Sequence, residues 1–340
     1  MQIVGHGASM AEIDWPRRPL SIIHVPPMPL SAPIVFEPIF MERVWGGRRL
    51  EAAFGKRLPI HGRIGESWEI VDRAEAQSVV HNGPLRGNTL HDLWTEHRID
   101  VFGDRPPGSP RFPLLFKLLD AQERLSVQVH PPADVAGALN GEPKTEMWYI
   151  MDTYGDGDIF AGLRAGVTRD AFERSLRAGS VQQTVHRLPV RPGDCIFIPS
   201  GRIHAIGGGN VIVEVQQNSD TTYRVFDWNR VALDGRARQL HIDESLKSVD
   251  FTDFEPGLQV LEGETLVHCP YFRVEKWDLT QPRESSPPGE WAIFTLLTGS
   301  VKSAGLEFHP GDFFLIPATL EDRLLHPVAG PASVLRTTIP

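Results

Sequence analysis

The chain has little cysteine: Cys195 and Cys269 are the only two among its 340 residues. Two cysteines cannot build a disulfide framework, so they favour a reduced, cytoplasmic setting. The sequence also lacks long apolar runs, and no segment approaches the roughly 18 uninterrupted apolar residues that a membrane span needs. We therefore predict a cytoplasmic protein that does not interact with membranes.

Positive charge is also scarce relative to negative charge. The chain carries 43 acidic and 34 basic residues, which gives a formal net charge of -9. This balance argues against nucleic acid or an anionic membrane as the main partner. It leaves room for a local basic pocket that would hold a single phosphate group.

Proline and glycine, by contrast, are abundant, with 29 and 31 residues. Such frequent turn residues favour many short strands over long helices, so we predict a mainly β fold. Gly46 and Gly47 are predicted to form a turn between strands. Helical spacing of apolar residues predicts two helices, at 90–98 with Thr89 as N-cap and at 168–178 with Thr168 as N-cap.

The ends of the predicted units are marked by changes in composition. Residues 1–33 are rich in proline and are predicted to form an irregular N-terminal extension, with Met28 as an alternative start of translation. Residues 234–256 are polar and acidic, and we expect them to connect two folded units.

A short internal repeat supports the prediction of two units. RPGDCIFIP at 191–199 matches HPGDFFLIP at 309–317, and each segment predicts a Pro-Gly-Asp turn followed by a buried strand. The repeat suggests two copies of one small β-barrel. The first copy is followed by His204, whereas the second has no histidine at the matching place. If one copy binds a metal ion, the sequence favours the first.

Four polar residues form a candidate metal site. Gln128 and His130 are two residues apart on a predicted strand, so their side chains point to the same face. His204 follows a Pro-x-Gly turn, and Glu146 begins another predicted strand. Two imidazoles, a carboxylate and an amide oxygen suit Zn²⁺, with Mn²⁺, Fe²⁺ or Co²⁺ as alternatives. The competing interpretation is that each histidine is an ordinary core or surface residue.

Several segments, taken in order, resemble the signatures of type I phosphomannose isomerases, and the match is closest to the short bacterial branch of that family. The resemblance covers residue 34 to the C-terminus and is strongest between 113 and 230. The segments that carry it are RVWGG (43–47), GESWEI (65–70), PLLFKLLDA (113–121), LSVQVHP (125–131), GEPKTEMWY (141–149), IPSGRIHA (198–205) and EVQQNSDTTYR (214–224).

The resemblance implies a cupin fold with two jelly-roll β-barrel units and a small helical part. The catalytic unit with helical insertions would span 34–250, and a metal-free unit would span 255–340. It implies one zinc ion per chain, with the ligands Gln128, His130, Glu146 and His204. It also implies a metal-dependent aldose–ketose isomerase that interconverts mannose 6-phosphate and fructose 6-phosphate through an enediol.

Isomerisation further requires a proton carrier and a phosphate anchor, and five residues are candidates. Arg224 and Arg230 could each hold a phosphate through a bidentate fork, although a solvated surface pair is the competing interpretation. If Glu214 points inward, burial would make it a useful base. Lys144 should lie near the metal, and Ser126 shares a strand face with the ligands. Arg224, Glu214 and Lys144 are the candidate catalytic residues, and Ser126, Lys144, Arg224 and Arg230 the candidate substrate-binding residues.

Two other functions are compatible with these motifs. One is an iron-dependent cupin oxygenase, although Gln128 in a place where such sites use histidine favours a non-redox metal. The other is a non-catalytic cupin that binds sugar phosphates, which would not need Lys144 or Glu214. In all these cases the partner is a small molecule, and a monomer or a small homo-oligomer is expected.

Overall fold

The computed structural model describes residues 30–231 and 235–340. The predicted irregular extension at 1–33 lies outside the described residues, except for its last four. Leu30, the first described residue, is buried, and Cys195 and Cys269 are both free thiols. Within the described ranges, no helix is both long enough and apolar enough to span a bilayer.

The protein is mainly β, as predicted, with six short α-helices among the described residues. The strands are β1 (Ile39–Gly47), β2 (Ile64–Ile70), β3 (Leu114–Ala121), β4 (Val127–Val129), β5 (Glu146–Thr153), β6 (Asp158–Leu163), β7 (Val185–Pro189), β8 (Cys195–Ile198), β9 (His204–Ile206), β10 (Asn210–Gln217), β11 (Tyr223–Phe226), β12 (Thr265–His268), β13 (Arg273–Leu279), β14 (Arg283–Glu284), β15 (Ala292–Ser303), β16 (Leu306–Phe308), β17 (Phe313–Ile316) and β18 (Leu324–Thr338). The helices are α1 (Arg49–Phe54), α2 (Leu90–Thr95), α3 (Arg98–Phe102), α4 (Ala133–Ala136), α5 (Arg169–Arg177) and α6 (Ile242–Ser248).

The strands form three sheets. The first has the order β1-β2-β3-β10-β5-β8, the second β11-β4-β9-β6-β7, and the third β12-β13-β18-β15-β16, with β14 on β18 and β17 on β15. Each order is open, so the predicted closed barrels are not confirmed. The first two sheets instead bury apolar side chains against each other, which is how a double-sheet jelly roll encloses its interior without a continuous hydrogen-bonded ring.

Alternation along β5 shows how the sequence divides the core. Trp148 and Ile150 lie in a buried cluster shared with residues of the second sheet. Met147 and Tyr149 point the opposite way, into a cluster that includes residues of the third sheet such as Leu335. Because successive strand residues face opposite sides, one strand contributes to both cores. Glu146 shares the face of Trp148 and therefore points into the interior of the first two sheets.

The internal repeat recurs in the hydrogen bonds. In the first copy Gly193 N–H donates to the Ile150 carbonyl and Ile150 N–H donates to the Asp194 carbonyl. Gly311, Leu296 and Asp312 make the same pair of bonds in the second copy. Both turn glycines have positive φ, 98° and 87°, a conformation that favours glycine. The sequence match at 191–199 and 309–317 therefore reflects one turn-and-strand structure built twice.

Two helix predictions differ in outcome. The helix at 168–178 is confirmed as α5, and the Thr168 side chain accepts a hydrogen bond from the Ala171 backbone, as an N-cap does. Thr89 is likewise the N-cap of α2, where it forms a capping box with Asp92. The single helix predicted at 90–98 is wrong, because α2 ends at Thr95 and a separate helix, α3, begins at Arg98.

Two further predictions are corrected near the first and second sheets. Gly46 and Gly47 do not form a turn between strands, because both belong to β1. A Cβ atom at Gly46 would lie 2.3 Å from the Gly65 backbone nitrogen, so close strand approach explains this glycine. The polar stretch 234–256 contains α6, whose polar composition concealed a helix that packs beside β11.

Candidate metal centre

Three strands bring the predicted metal ligands together. His204 begins β9 and pairs directly with Gln128 of β4, and Glu146 begins β5 in the facing sheet. His130 follows β4 by one residue. Ligand atoms of His130, Glu146 and His204 all lie within 4.8 Å of one another, and all three residues are buried. Val127 and Val129 face the opposite side of β4, into a separate apolar core, as the strand alternation predicted.

The backbone fixes the orientation of both imidazoles. His130 Nδ1 lies 2.8 Å from the Thr221 carbonyl, and His204 Nδ1 lies 2.8 Å from the Arg202 carbonyl. A carbonyl can only accept, so Nδ1 carries the proton in each ring and the Nε2 lone pair is left free. Such outer hydrogen bonds are what orient histidine ligands of metals.

Electrostatics keep both rings in the form that can bind a metal. Burial and, next to it, the nearby Lys144 ammonium lower the pKa of His130 to about 4, against the opposing effect of Glu146. Burial also lowers the pKa of His204. Both imidazoles are therefore neutral at pH 7. Their Nε2 atoms each lie 3.6 Å from a carboxylate oxygen of Glu146.

Glu146 provides the test of whether a cation fits here. Its side chain is 1% exposed, and within the described part of the chain its Oε1 accepts no hydrogen bond. A buried carboxylate oxygen without a hydrogen-bond donor is costly unless a cation compensates it. Together with two neutral imidazole lone pairs, it forms a donor set suited to a divalent transition metal. The residues present therefore fit a metal ion.

Gln128 lies at the site but presents its amide nitrogen. Its Nε2 is 3.3 Å from His204 Nε2, while its Oε1 accepts a hydrogen bond from the Ser126 hydroxyl over 3.3 Å. Coordination through oxygen requires a half-turn of the terminal amide, a rotation that exchanges two nearly isosteric atoms. Gln128 is thus placed beside the other three ligands with its donor atom turned away.

A network of alternating charges adjoins the ligands. Lys144 Nζ lies 2.6 Å from Glu146 Oε2 and 3.5 Å from Glu214 Oε1, and Lys117 Nζ lies 3.2 Å from the same Glu214 oxygen. The Trp148 indole N–H donates to Glu214 Oε2 over 3.1 Å. Burial disfavours the Lys144 ammonium, but the two carboxylates outweigh it and raise its pKa. Glu214 is therefore buried and points into this network, where its charged neighbours are cations.

Of the residues in this network, Lys117, Lys144, Trp148 and Glu214 line a cavity with a volume of about 580 Å³, a size typical of small-molecule sites. The cavity also contacts Ser126 and Gln128 from the metal side. Basic residues are prominent in its lining: Arg43, Lys117, Lys144, Arg224, Arg238 and His241.

Arg224 is the better placed of the two predicted phosphate anchors. It lines the cavity, and its Nε is buried without a hydrogen-bond partner among the described residues. Burial, followed by the nearby Arg238 guanidinium, lowers its pKa. Arg230 also has a buried Nε without a hydrogen-bond partner among the described residues, but it donates to Asp227 over 2.8 Å and is not one of the described residues that line the cavity.

Sequence reasoning missed two residues in this corner of the cavity. Arg238 pairs with Asp227, and His241 Nδ1 accepts a hydrogen bond from the Arg224 backbone over 3.2 Å. Both come from the stretch 234–256, which was predicted to be only a connector. The arginine and histidine residues clustered in this stretch were the sequence signal that could have indicated a contribution to an anion-binding site.

Comparison with known proteins identifies the family. The family described as "Phosphomannose isomerase type I, catalytic domain" matches residues 35–155. Mannose-6-phosphate isomerase ManA of Bacillus subtilis is 38% identical over 300 residues, which cover 84% of this chain and 93% of that protein. The chain belongs to the type I phosphomannose isomerase family. A mannose-6-phosphate isomerase of Streptococcus mutans is 37% identical over 301 residues, 84% of this chain and 94% of that protein.

The fold agrees with this membership. The crystal structure of the mannose 6-phosphate isomerase from Bacillus subtilis superposes with a TM-score of 0.80 at 33% identity, over 91% of this chain and all of that chain. The predicted resemblance and the mainly β, cupin-type architecture of the family are thereby confirmed.

Proposed function

We propose that this protein is a metal-dependent isomerase that interconverts mannose 6-phosphate and fructose 6-phosphate through an enediol. The observation that carries the proposal is the buried His130–Glu146–His204 cluster beside the Lys144–Glu214 pair, which lines a cavity. Family membership supports the same activity, since the named relatives are mannose-6-phosphate isomerases.

We propose zinc as the metal, held by His130, Glu146 and His204 through the Nε2 and carboxylate atoms that face one another. Gln128 would complete the set after its amide turns. A bound zinc ion would act as a Lewis acid for the sugar oxygens next to the exchanging proton. The absence of thiolates from the donor set, within the described residues, fits a catalytic zinc site rather than a structural one.

Proton transfer is assigned to Glu214, with Lys144 as its partner. Lys117 and Trp148 hold the carboxylate from one side, so its position is fixed before substrate enters. Lys144 contacts both Glu214 and Glu146, which places its ammonium between the proton carrier and the metal ligands. From there it can donate hydrogen bonds to substrate oxygens. Ser126, buried beside Gln128, is a further donor to the sugar.

Phosphate binding is assigned to Arg224. Its guanidinium combines burial, an unpartnered Nε and proximity to Arg238, and a phosphate dianion would neutralise this concentration of positive charge. Arg230 contributes indirectly, because it and Arg238 both bind the carboxylate of Asp227. We therefore propose a substrate with its phosphate near β11 and its reacting carbons near β5.

We propose that the chain comprises two cupin units, a catalytic one at 34–250 and a metal-free one at 255–340. The repeated turn at Gly193 and Gly311 supports this division, as does the third sheet with its own apolar interior. The cytoplasmic location and the choice between a monomer and a small homo-oligomer stay predictions from the sequence.

The proposed activity is tested by incubating the zinc-loaded protein with mannose 6-phosphate and measuring fructose 6-phosphate. We expect turnover that a chelator abolishes and that added zinc restores. No turnover by the zinc-loaded protein would refute the proposal and favour a non-catalytic sugar-phosphate-binding cupin. Iron in protein purified without added metal, with oxygen uptake, would instead indicate the oxygenase that the relatives do not favour.

A further inference from the structure

The third sheet contains a second cavity, with a volume of about 440 Å³. This volume falls in the range of roughly 300–1,000 Å³ that is typical of small-molecule sites. Its rim is exposed at Glu284, Pro287 and Pro288, whereas Trp277 and Ser285 in its lining are 5% and 0% exposed. Glu275, Ser286 and Arg336 complete the lining.

Strand pairing relates this cavity to the catalytic one. Ile198 and Ile316 hold the same place in the internal repeat, and their partners across the sheet are Glu146 and Ala292. Ala292 therefore occupies the position of the metal ligand Glu146. A methyl group cannot bind a metal, so this repeat lacks the counterpart of that carboxylate ligand.

The same pairing can be followed across the neighbouring strands. Strands β15, β18 and β13 of the third sheet pair in the same order as β5, β10 and β3 of the first, so their residues can be matched position by position. Phe294 corresponds to Trp148, Arg336 to Glu214, Glu275 to Lys117, and Trp277 to Leu119. Lys117, Leu119 and Glu214 line the catalytic cavity, and their counterparts Glu275, Trp277 and Arg336 line the second one. The two cavities thus occupy equivalent places in the repeated framework, with the charges of the ion pair exchanged.

Two buried polar groups in the second cavity lack protein partners. The Trp277 indole N–H and the Ser285 hydroxyl make no hydrogen bond to any residue in the described ranges. Leaving such groups unpaired is destabilising, so native proteins satisfy them with solvent or a ligand. The neighbouring Ser286 differs, because its hydroxyl donates to the Glu290 carbonyl over 2.9 Å.

The charges of the lining exclude an anionic ligand. Arg336 is the one cation in the lining among the described residues, and its Nη1 donates to Glu275 over 2.7 Å. Glu284 adds a second carboxylate, so no cation is available for a phosphate. The Arg283 guanidinium lies 3.5 Å from the centre of the Trp277 ring and so covers one face of the indole. The polar group that Trp277 can offer to a ligand is therefore the N–H at the edge of its ring.

We propose that this second cavity binds an uncharged polyhydroxylated compound of monosaccharide size. A hydroxyl oxygen of the ligand accepts from the Trp277 N–H, and another exchanges a hydrogen bond with Ser285. The carboxylates of Glu275 and Glu284 accept from further hydroxyl groups, while the apolar walls contact the ring carbons. The site does not depend on the metal or on the isomerase activity proposed above.

The test uses full-length protein labelled at the indole nitrogens, with excess mannose 6-phosphate to occupy the catalytic cavity. Neutral D-mannose, D-glucose and mannitol are titrated separately while indole N–H resonances are recorded. We expect at least one to cause a saturable shift of the Trp277 signal, identified by its absence in W277F. Glucose 6-phosphate should cause no such shift. If none of the neutral compounds shifts this signal saturably, the cavity holds only solvent and the proposal is wrong.

Two neighbouring serines provide matched variants. S285A removes the unpartnered hydroxyl and should weaken binding of the active compound about tenfold, the effect of losing one hydrogen bond of about 1.4 kcal/mol. S286A removes a hydroxyl already satisfied within the chain and should change binding less than twofold. Equal effects of the two variants would contradict the assigned contact. This comparison does not require W277F to fold.

Discussion

At the scale of single residues, Glu214 and Lys144 link the metal ligands to the rest of the cavity. Both side chains are buried, and each lies within 3.5 Å of an oppositely charged partner. A buried ion pair is weak grounds for stability, because desolvation offsets much of the attraction. The presence of this ion pair in the lining of a cavity is better explained by a role in the proposed proton transfer.

The assignment of Glu214 as proton carrier predicts the behaviour of E214Q. Glutamine keeps an acceptor for the Trp148 N–H but cannot accept a proton, so we expect kcat to fall by about 100-fold or more. Metal content should not change, because Glu214 is outside the His-Glu-His cluster. E264Q, a substitution of an exposed glutamate in the turn before β12, serves as control. Turnover within a few-fold of the native enzyme would assign proton transfer to another group.

Arg224 is predicted to affect binding more than turnover. R224A removes a charge-assisted contact worth about 1.5–3 kcal/mol, which corresponds to a rise in KM of roughly 10- to 100-fold. Inhibition by inorganic phosphate should weaken by the same factor. R191A, at an exposed turn, should leave both constants unchanged. If R230A raises KM more than R224A does, Arg230 is the anchor.

Most site residues could be predicted from the sequence, for identifiable reasons. His130 and Gln128 obey strand alternation, and His204 follows a turn that the repeat makes recognisable. Arg238 and His241 could not be placed, because their approach to the cavity depends on how 234–256 folds back onto β11. The direction of the Gln128 amide also depends on neighbours that no local pattern records.

At the scale of elements, Asp72 joins the end of β2 to the segment before β3. Its carboxylate accepts from the Phe112 backbone N–H over 2.9 Å and from Arg111 over 2.7 Å. Gln77 and His91 make further contacts with it. Burial alone would raise the pKa of Asp72, but these hydrogen bonds lower it below the ordinary value of 3.8.

This shift predicts how D72N responds to pH. A lowered folded-state pKa means that the stabilisation is complete above the ordinary value and is lost as the pH falls through the folded one. We expect D72N to lose about 1.5–3 kcal/mol of unfolding free energy at pH 7. Urea unfolding should show this difference shrink as the pH falls below about 4. D134N, at an exposed position, should show no pH-dependent difference, and a constant deficit in D72N would contradict the electrostatic explanation.

Elements were predicted well where one local signal dominated. Strand β8 is the buried strand predicted within 191–199, because a Pro-Gly-Asp turn and a proline bound it. The break between α2 and α3 escaped prediction because apolar spacing continues through it. Gly46 was misassigned because a glycine required by close strand approach looks the same in sequence as a turn glycine.

At the scale of the whole molecule, the metal centre connects the first two sheets. The proposed ligands come from β4 and β9, or the residue next to β4, in one sheet and from β5 in the other, so a bound cation would tie the two layers together. A ligand that binds only the folded state stabilises it, by about 4 kcal/mol at 1,000 times its dissociation constant.

We therefore expect a chelator to lower the thermal unfolding midpoint by several degrees and added zinc to restore it. E146Q removes the charged ligand and should unfold at the same temperature with or without chelator. Calorimetry on matched samples makes the measurement. If the chelator does not change the thermal unfolding midpoint of the native protein, the cluster holds no metal that stabilises the fold.

The exchanged ion pairs of the two repeats have a consequence for how the chain finds its own fold. Glu214 pairs with Lys117 in the first sheet, and Arg336 pairs with Glu275 at the equivalent place in the third. If β18 were to insert beside β3 in place of β10, Arg336 would face Lys117. Glu214 would then face Glu275 if β10 took the vacated place. Like charges directly opposite on paired strands are destabilising, so the charges disfavour this exchange of strands between the two repeats.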